Sequence, residues 1–396
     1  MDAAPPPRAR LQRRRSYWFL RYGCLSVLVV FFFCCLACSG LFAGTTFAGG
    51  PAVFLLATFL ATATAVPYFI VLLWFDRNER EPTYLIATAF MWGATVATTL
   101  SLVGNTSFGL VMQGWLRNAA LANQATASFA APFFEELTKG AAVFLIFLLF
   151  KREFDNVLDG ILYGALVGLG FAWFENILYY VSASEGGPEG MLKLTFLRGV
   201  MNGVTSHVAY TGLTGLGFGI VRVLRRGILR WAFVPMFWGT AMFAHFLWNT
   251  FVNVFVGITG QHSEAGVLLI SIPLAILVLQ LPFVFLLLLV VLFVWRHENR
   301  IIRLHLEGEP KDVVLPVEAQ RLVPARRRLW TGIRRFFTRG PLFWWRARSL
   351  DHDLIRLAFL KWHHHEDREI TWSPDEDVDI LSLREHIKRR RRVLAR

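Results

Sequence analysis

The feature that most constrains this chain is the recurrence of apolar blocks about 20 residues long. A stretch of that length, coiled as a helix, crosses a hydrocarbon core of roughly 30 Å. The blocks fall near 22–44, 51–75, 83–104, 128–150, 157–181, 192–221, 230–256 and 265–295. With 55% hydrophobic residues, 36 Phe and 14 Trp in 396 residues, the chain is far more apolar than a soluble domain requires. The expected architecture is all-α: a polytopic transmembrane helix bundle of about eight spans. Arg13, Arg14 and Arg15 precede the first block as in a signal peptide, but its apolar run is too long for one, so it reads as a retained span. No internal repeat stands out.

Basic residues set the expected orientation, because short cytoplasmic loops concentrate Lys and Arg. Arg8, Arg10, Arg13, Arg14, Arg15 and Arg21 precede the first block. Arg77 and Arg80 follow the second, Lys151 and Arg152 the fourth, and Arg222, Arg225, Arg226 and Arg230 the sixth. The alternate connections hold only Arg117 and Lys193. Eight spans place every basic connection on one side, with both termini cytoplasmic. Three regions are expected: a basic N-terminal segment (1–21), a transmembrane domain (22–295) and a basic cytoplasmic tail (296–396).

The tail beyond residue 296 differs in composition, with 22 Lys/Arg against 15 Asp/Glu. Its "RRRLWTGIRRFFTRGPLFWWRARS" interleaves arginine with aromatics, a pattern suited to an anionic lipid surface. The closing "KRRRR" also permits a nucleic-acid reading. Lipid already partners a membrane-tethered basic tail, so no nucleic acid is expected. Ser373, Pro374 and Glu376 mark the start of a helix, as N-cap, first position and capping-box acid. The His363–His365 run reads as a solvated face. Cys24, Cys34, Cys35 and Cys38 all fall in the first block and read as small apolar residues, without a zinc-site partner elsewhere.

Polar residues inside the spans carry the functional signal. A charged residue at the centre of a span costs roughly 2.5–3.5 kcal/mol on insertion scales. This chain nevertheless places Glu135, Glu136 and Lys139 in the fourth block and Glu175 with Asn176 in the fifth. The sixth holds Arg198, Asn202 and His207, and the seventh His245 with Asn249. Glu135 and Lys139 are four apart and pair on one helix face, as do His245 and Asn249. Such groups are expected to face one another around a wet cavity. Carboxylates and imidazoles there can take a proton from water, and His and Asn can donate to a tetrahedral oxyanion, which is the chemistry of peptide-bond hydrolysis. A proton-coupled transporter uses the same residue types and is the alternative. No H-E-x-x-H motif occurs, Ser206 is unmarked as a nucleophile, and Asp159 lacks a second aspartate at its depth, which leaves glutamate as the catalytic type.

At these residues the sequence resembles the PrsW intramembrane protease family. The likeness lies in "DRNEREP", "FFEELTKG", "FDNVLDGILYGALVGLGFAWFENILYY", "SHVAYTGLTGLGFG" and "AHFLWNTF", over about residues 66 to 255. That family groups with the CAAX prenyl endopeptidases and bacteriocin-processing proteins, whose shared pattern maps onto Glu135 and Glu136, Phe171 with Glu175, His207, and His245 with Asn249. The resemblance implies that Glu135 activates water and that His245 and Asn249 form an oxyanion site, with Lys139 and Asn176 supporting. It implies cleavage of a membrane-protein substrate in the bacterial cell membrane, with first-site cleavage of an anti-sigma factor as the family's characterised role. The same superfamily includes the gamma-secretase scaffold subunit, so a noncatalytic scaffold is a further alternative. No metal is assigned: zinc stays open, with His207, His245, Glu136 and Glu175 as candidate ligands. "NTS" at Asn105 reads as a sequon if its loop faces a glycosylating compartment.

Overall fold

The computed structural model describes residues 36–40, 43–44, 46–47, 50–151, 153–224, 227–261, 263–367 and 374–395. The basic segment 1–21, most of the first expected span, Cys24, Cys34, Cys35, Arg152, Arg225, Arg226 and Ser373 lie outside them. Every element among the described residues is a helix. We label them α1 (Pro51–Phe75), α2 (Thr83–Leu116), α3 (119–149), α4 (Val157–Ala183), α5 (187–201), α6 (204–223), α7 (Phe233–Ile258), α8 (Glu264–Leu279), α9 (Leu281–Leu306), α10 (Pro316–Leu322), α11 (Ala325–Asp367) and α12 (Pro374–Ala395).

The expected count of eight spans is not confirmed. Among the described residues, five helical runs are long and apolar enough to cross a membrane: Pro51–Phe75, Thr83–Leu116, Val157–Val223, Ile228–Ile258 and Leu281–Leu306. The difference has identifiable causes. Helix α3 carries Glu135, Glu136 and Lys139 within one span length, so its composition excludes it. The expected spans 157–181 and 192–221 fall in one helical run, Val157–Val223, and count once. The block 265–295 is broken at Gln280, just before Pro282, which leaves α8 too short and α9 long enough. The connection expected over 105–127 is also helical. Helix α2 continues to Leu116, Arg117 ends it in a left-handed conformation, and Asn118 caps the next helix through Leu121 N.

The chain divides into two compact units. One holds the residues up to Phe75 together with Glu81–Leu288. Its centre is α4, buried along almost its whole length. The glycine spacing in "LDGILYGALVG" explains how α4 packs. Gly160, Gly164 and Gly168 recur every four residues and form one stripe, the small-residue pattern that lets helix backbones approach closely in a membrane. A Cβ at Gly160 would meet the Gly215 carbonyl oxygen at 2.2 Å, and one at Gly164 the Thr211 oxygen at 2.2 Å. At Gly168 it would meet the His207 oxygen at 2.1 Å. Only glycine permits that contact, and it brings His207 against α4 one turn from Phe171. Asp159 has a structural role: with Asn156 it closes a capping box at the start of α4.

Five π-helical turns interrupt these helices: Trp92–Ala97, Thr126–Ala130, Thr195–Met201, Val204–Val208 and Val267–Ser271. A π-turn widens the helix, rotates the side chains beyond it, and recurs at functional sites. Ser206, inside the Val204–Val208 turn, has non-helical torsions of φ −96° and ψ −120°.

The second unit is Asp76–Arg80 with Leu289–Arg396. It has its own aliphatic core, including Ile302, Leu306, Leu322, Leu354, Leu357 and Ile387. Helix α11 is bent at Gly340, where φ is 81°, immediately before Pro341. Helix α12 begins at Pro374, the first position read from the sequence.

Candidate active site

Glu135, Glu136 and Lys139 project from α3 into the bundle of the first unit, and all three are buried. The Lys139 side chain is 0% exposed, and its ammonium makes three contacts. It donates to Glu136 Oε1 at 2.8 Å, to Glu135 Oε2 at 3.3 Å and to His207 Nδ1 at 2.9 Å. It also lies 3.8 Å from the centre of the Phe171 ring. The i,i+4 pairing of Glu135 with Lys139 is therefore present, and Glu136 joins it.

These contacts assign the tautomer of His207. An ammonium has no lone pair and only donates. His207 Nδ1 therefore accepts, its proton sits on Nε2, and Nε2 donates to Glu175 Oε2 at 2.9 Å. Glu175 also accepts from Arg198 at 2.6 Å, and Arg198 Nε donates to Asn176 Oδ1 at 2.9 Å. The other imidazole is arranged differently. His245 Nδ1 lies 3.2 Å from Glu136 Oε1 and donates to it. Its Nε2 lies 4.0 Å from Glu135 Oε2. The two imidazole rings are 5.1 Å apart.

The two adjacent glutamates thus differ in environment. Glu136 accepts from Lys139, from His245 and from Thr211 Oγ1 at 3.0 Å. It is fully enclosed and does not line the cavity. Glu135 does line it, in a cavity of about 380 Å³ with Glu175, Arg198, His207, His245 and Asn249. Asn249 donates one amide hydrogen to the Ala127 carbonyl at 2.9 Å, which leaves the second uncommitted in the described contacts. All six candidate residues and both supporting ones, Lys139 and Asn176, fall in this one constellation. Within it, Glu136 and Lys139 lie behind the cavity wall.

Several participants were not marked as site residues by the sequence. Asn105, expected in a loop as a sequon, lies in α2, lines the cavity and donates to Glu135 Oε1 at 3.4 Å. Its place in the helix corrects the loop reading. Tyr210 stacks on His245 with centroids 5.2 Å apart and rings 22° from parallel. Gln280, wholly buried at the break between α8 and α9, donates to the Tyr210 hydroxyl at 2.8 Å and accepts from Thr205 Oγ1 at 2.6 Å. The available signal was a lone Gln within a long apolar block just before a proline.

Glu135, His207 and His245 form a buried group of the kind that can hold a metal ion, with ligand atoms within 4.8 Å of one another. One carboxylate and two imidazoles suit zinc. As arranged, however, they do not fit a bound dication. The Nδ1 lone pair of His207 already accepts from Lys139, and the same ammonium touches Glu135, a second member of the trio. Glu136 and Glu175, the other candidate ligands, are each held by a cation of the chain.

Comparison with known proteins identifies the family. The profile of the family described as PrsW family intramembrane metalloprotease matches residues 81–294. Protease PrsW of Geobacillus kaustophilus is 30% identical over 178 residues, covering 44% of this chain and 72% of that protein. Protease PrsW of Oceanobacillus iheyensis is 36% identical over 77 residues, 19% of this chain and 32% of the relative. Protease PrsW of Clostridioides difficile is 28% identical over 124 residues, 30% and 50% of the two chains. No solved structure matches. The matched region contains every group that lines the cavity, and the chain belongs to the PrsW family of intramembrane proteases.

Proposed function

We propose that this chain is a glutamate-dependent intramembrane endopeptidase in which Glu135 is the general base. The observation that carries this reading is the split between the two glutamates. Glu136 is saturated with donors, whereas Glu135 reaches the cavity with His245 Nε2 at 4.0 Å. A water held there gives a proton to Glu135 while its oxygen attacks the scissile carbonyl carbon. Asn249 donates its second amide hydrogen to the resulting oxyanion. His245 can assist when Nε2 carries a proton. Glu135 then returns its proton to the amine nitrogen as the C–N bond breaks. His207, held between Lys139 and Glu175, positions both and moves no proton itself. A metal, were one bound, would polarise the carbonyl or water. No step above depends on it.

The substrate class is a membrane protein with a helix that unwinds into the cavity. By likeness to the family, an anti-sigma factor cleaved at its first site is the substrate to try. The cell membrane of a bacterium, with both termini cytoplasmic, is the location that fits the basic connections. In the tail, α11 exposes Trp330, Phe337 and Trp345 on a helix rich in arginine, and anionic lipid is the partner that composition suits.

The deciding experiment is cleavage of a single-span candidate in proteoliposomes by the wild type and by Glu135→Gln, each with and without a chelator. Cleavage by the wild type alone supports the reading. Equal cleavage by the Gln variant removes Glu135 from the role. Substrate-dependent proton flux without product would replace the protease with a transporter. Neither flux nor product across candidates that bind would favour a scaffold.

A further inference from the structure

The groups around Lys139 have the composition of a metal site, yet a side chain stands where the ion would. Glu135, His207 and His245 offer donor atoms within 4.8 Å of one another, and Lys139 Nζ contacts two of the three. Its side chain is wholly enclosed, and its three N–H donors go to a carboxylate, a second carboxylate and an imidazole lone pair. The face of Phe171, 3.8 Å away, adds a quadrupole that favours a cation. These are the partners that a zinc ion takes from proteins, gathered around an ammonium on the same helix as two of them.

We propose that Lys139 is the built-in cation of this site: its ammonium organises Glu135, Glu136 and His207 in place of a divalent ion and excludes one from the Glu135/His207/His245 trio. The arrangement has two consequences. A dication bound to Glu135 and His207 Nδ1 would sit beside a buried ammonium that has no solvent to screen it, so binding requires Lys139 to be displaced or neutralised. And the tautomer of His207 is set by Lys139, since only an Nδ1 lone pair can face an ammonium. Lys139 is a positioning residue, since it does not line the cavity and acts only through the carboxylates and the imidazole that it holds. This inference uses the site geometry and holds whether or not Glu135 is the base. Its tests read metal and proton positions, so they are separable from any failure of cleavage.

Removing the ammonium while keeping the chain apolar should expose the latent metal site. In purified full-length protein in nanodiscs, the wild type is expected to retain well under one equivalent of zinc after equilibration and dialysis. It is also expected to show no tetrahedral cobalt absorption. Lys139→Met is expected to bind one equivalent of cobalt at least tenfold more tightly than the wild type, and adding His245→Ala should abolish that gain. A wild type that holds one equivalent, lost on His245→Ala, overturns the proposal. So does a Lys139→Met protein that binds cobalt no more tightly than the wild type. If Lys139→Met does not yield folded protein, nitrogen NMR on the wild type decides. The His207 proton should be on Nε2 with Nδ1 unprotonated, and both signals should be unmoved by added zinc. A proton on Nδ1, or a zinc-dependent shift there, overturns the proposal.

Discussion

The two compact units handle buried charge in opposite ways. In the first, the site's few charges stand within an otherwise apolar bundle and converge. Glu135, Glu136, Glu175, Lys139 and Arg198 share partners through His207 and His245, and three of them, Glu135, Glu175 and Arg198, keep a face on the cavity. In the second, charges are many and sit at the edge of an aliphatic core, where each acid is held by one or two basic side chains. Glu309, with a side chain 1% exposed, binds Lys361 and Arg384, each at 2.7 Å. Arg391 binds Glu318 at 2.6 Å, and Asp351 is shared between Arg321 and Arg335. Both sets are paired and at least partly buried, so burial and pairing alone do not mark function. What distinguishes the first unit is a cavity and a carboxylate with coordination capacity left toward it.

The comparison can be tested from its strongest consequence downward. Glu135→Gln should lower turnover by about 10²–10⁴-fold with the protein still folded and inserted, because the amide keeps the shape and loses the base. Single-turnover cleavage in proteoliposomes measures it. Asn249→Ala should cost about 10²–10³-fold, the usual loss for one oxyanion donor, in kcat more than in KM. A change confined to KM would instead make Asn249 a substrate-binding group.

Gly168→Ala tests the helix contact that places His207. The added Cβ would press on the His207 carbonyl, at a stability cost of about 1–3 kcal/mol. Misplacing the imidazole by about 1 Å should cost on the order of 10²-fold in rate. Thermal unfolding alongside kinetics separates the two effects. Gln280→Leu removes the partner of Tyr210 and leaves a buried hydroxyl short of one bond, worth about 1–3 kcal/mol. Its rate effect should be smaller than that of Gly168→Ala, since it reaches His245 only through the Tyr210 ring.

The smallest effect on cleavage is expected from Glu309→Gln in the second unit, where turnover should stay within about twofold. Its signature is pH. Burial alone would raise the Glu309 carboxyl, but hydrogen bonds from Arg384 and Lys361 outweigh it and hold the group below the ordinary carboxylate range. A depressed folded value means that the contribution to stability is present above the unfolded value of about 4.3 and is lost as pH falls through the lower folded value. Protection factors of α11 amides, which correct for the slower intrinsic exchange at low pH, should therefore fall on acidification in the wild type, and less so in Glu309→Gln. Loss of cleavage in that variant at neutral pH would break the division of labour between the units.

Much of this protein was legible in its sequence because membrane insertion penalises charge. The length of the apolar blocks specified helices, and the cost of burying Glu135, Glu136, Lys139 and Glu175 singled them out before any coordinates. The i,i+4 spacing of Glu135 and Lys139 even indicated one of their contacts. Other features were decided only by the tertiary structure, since they depend on contacts between residues distant in the chain. Whether 157–223 reads as two spans or one run, and whether 265–295 continues through Gln280, is set by packing and by a break that hydropathy does not register. Asn105 looked like a loop residue because polar side chains are ordinary in loops; only the continuation of α2 turns it toward Glu135. Which adjacent glutamate faces the cavity cannot be read from two identical letters. Thr211, His245 and Lys139 decide it by saturating Glu136, and the Gly168 contact decides where His207 meets them.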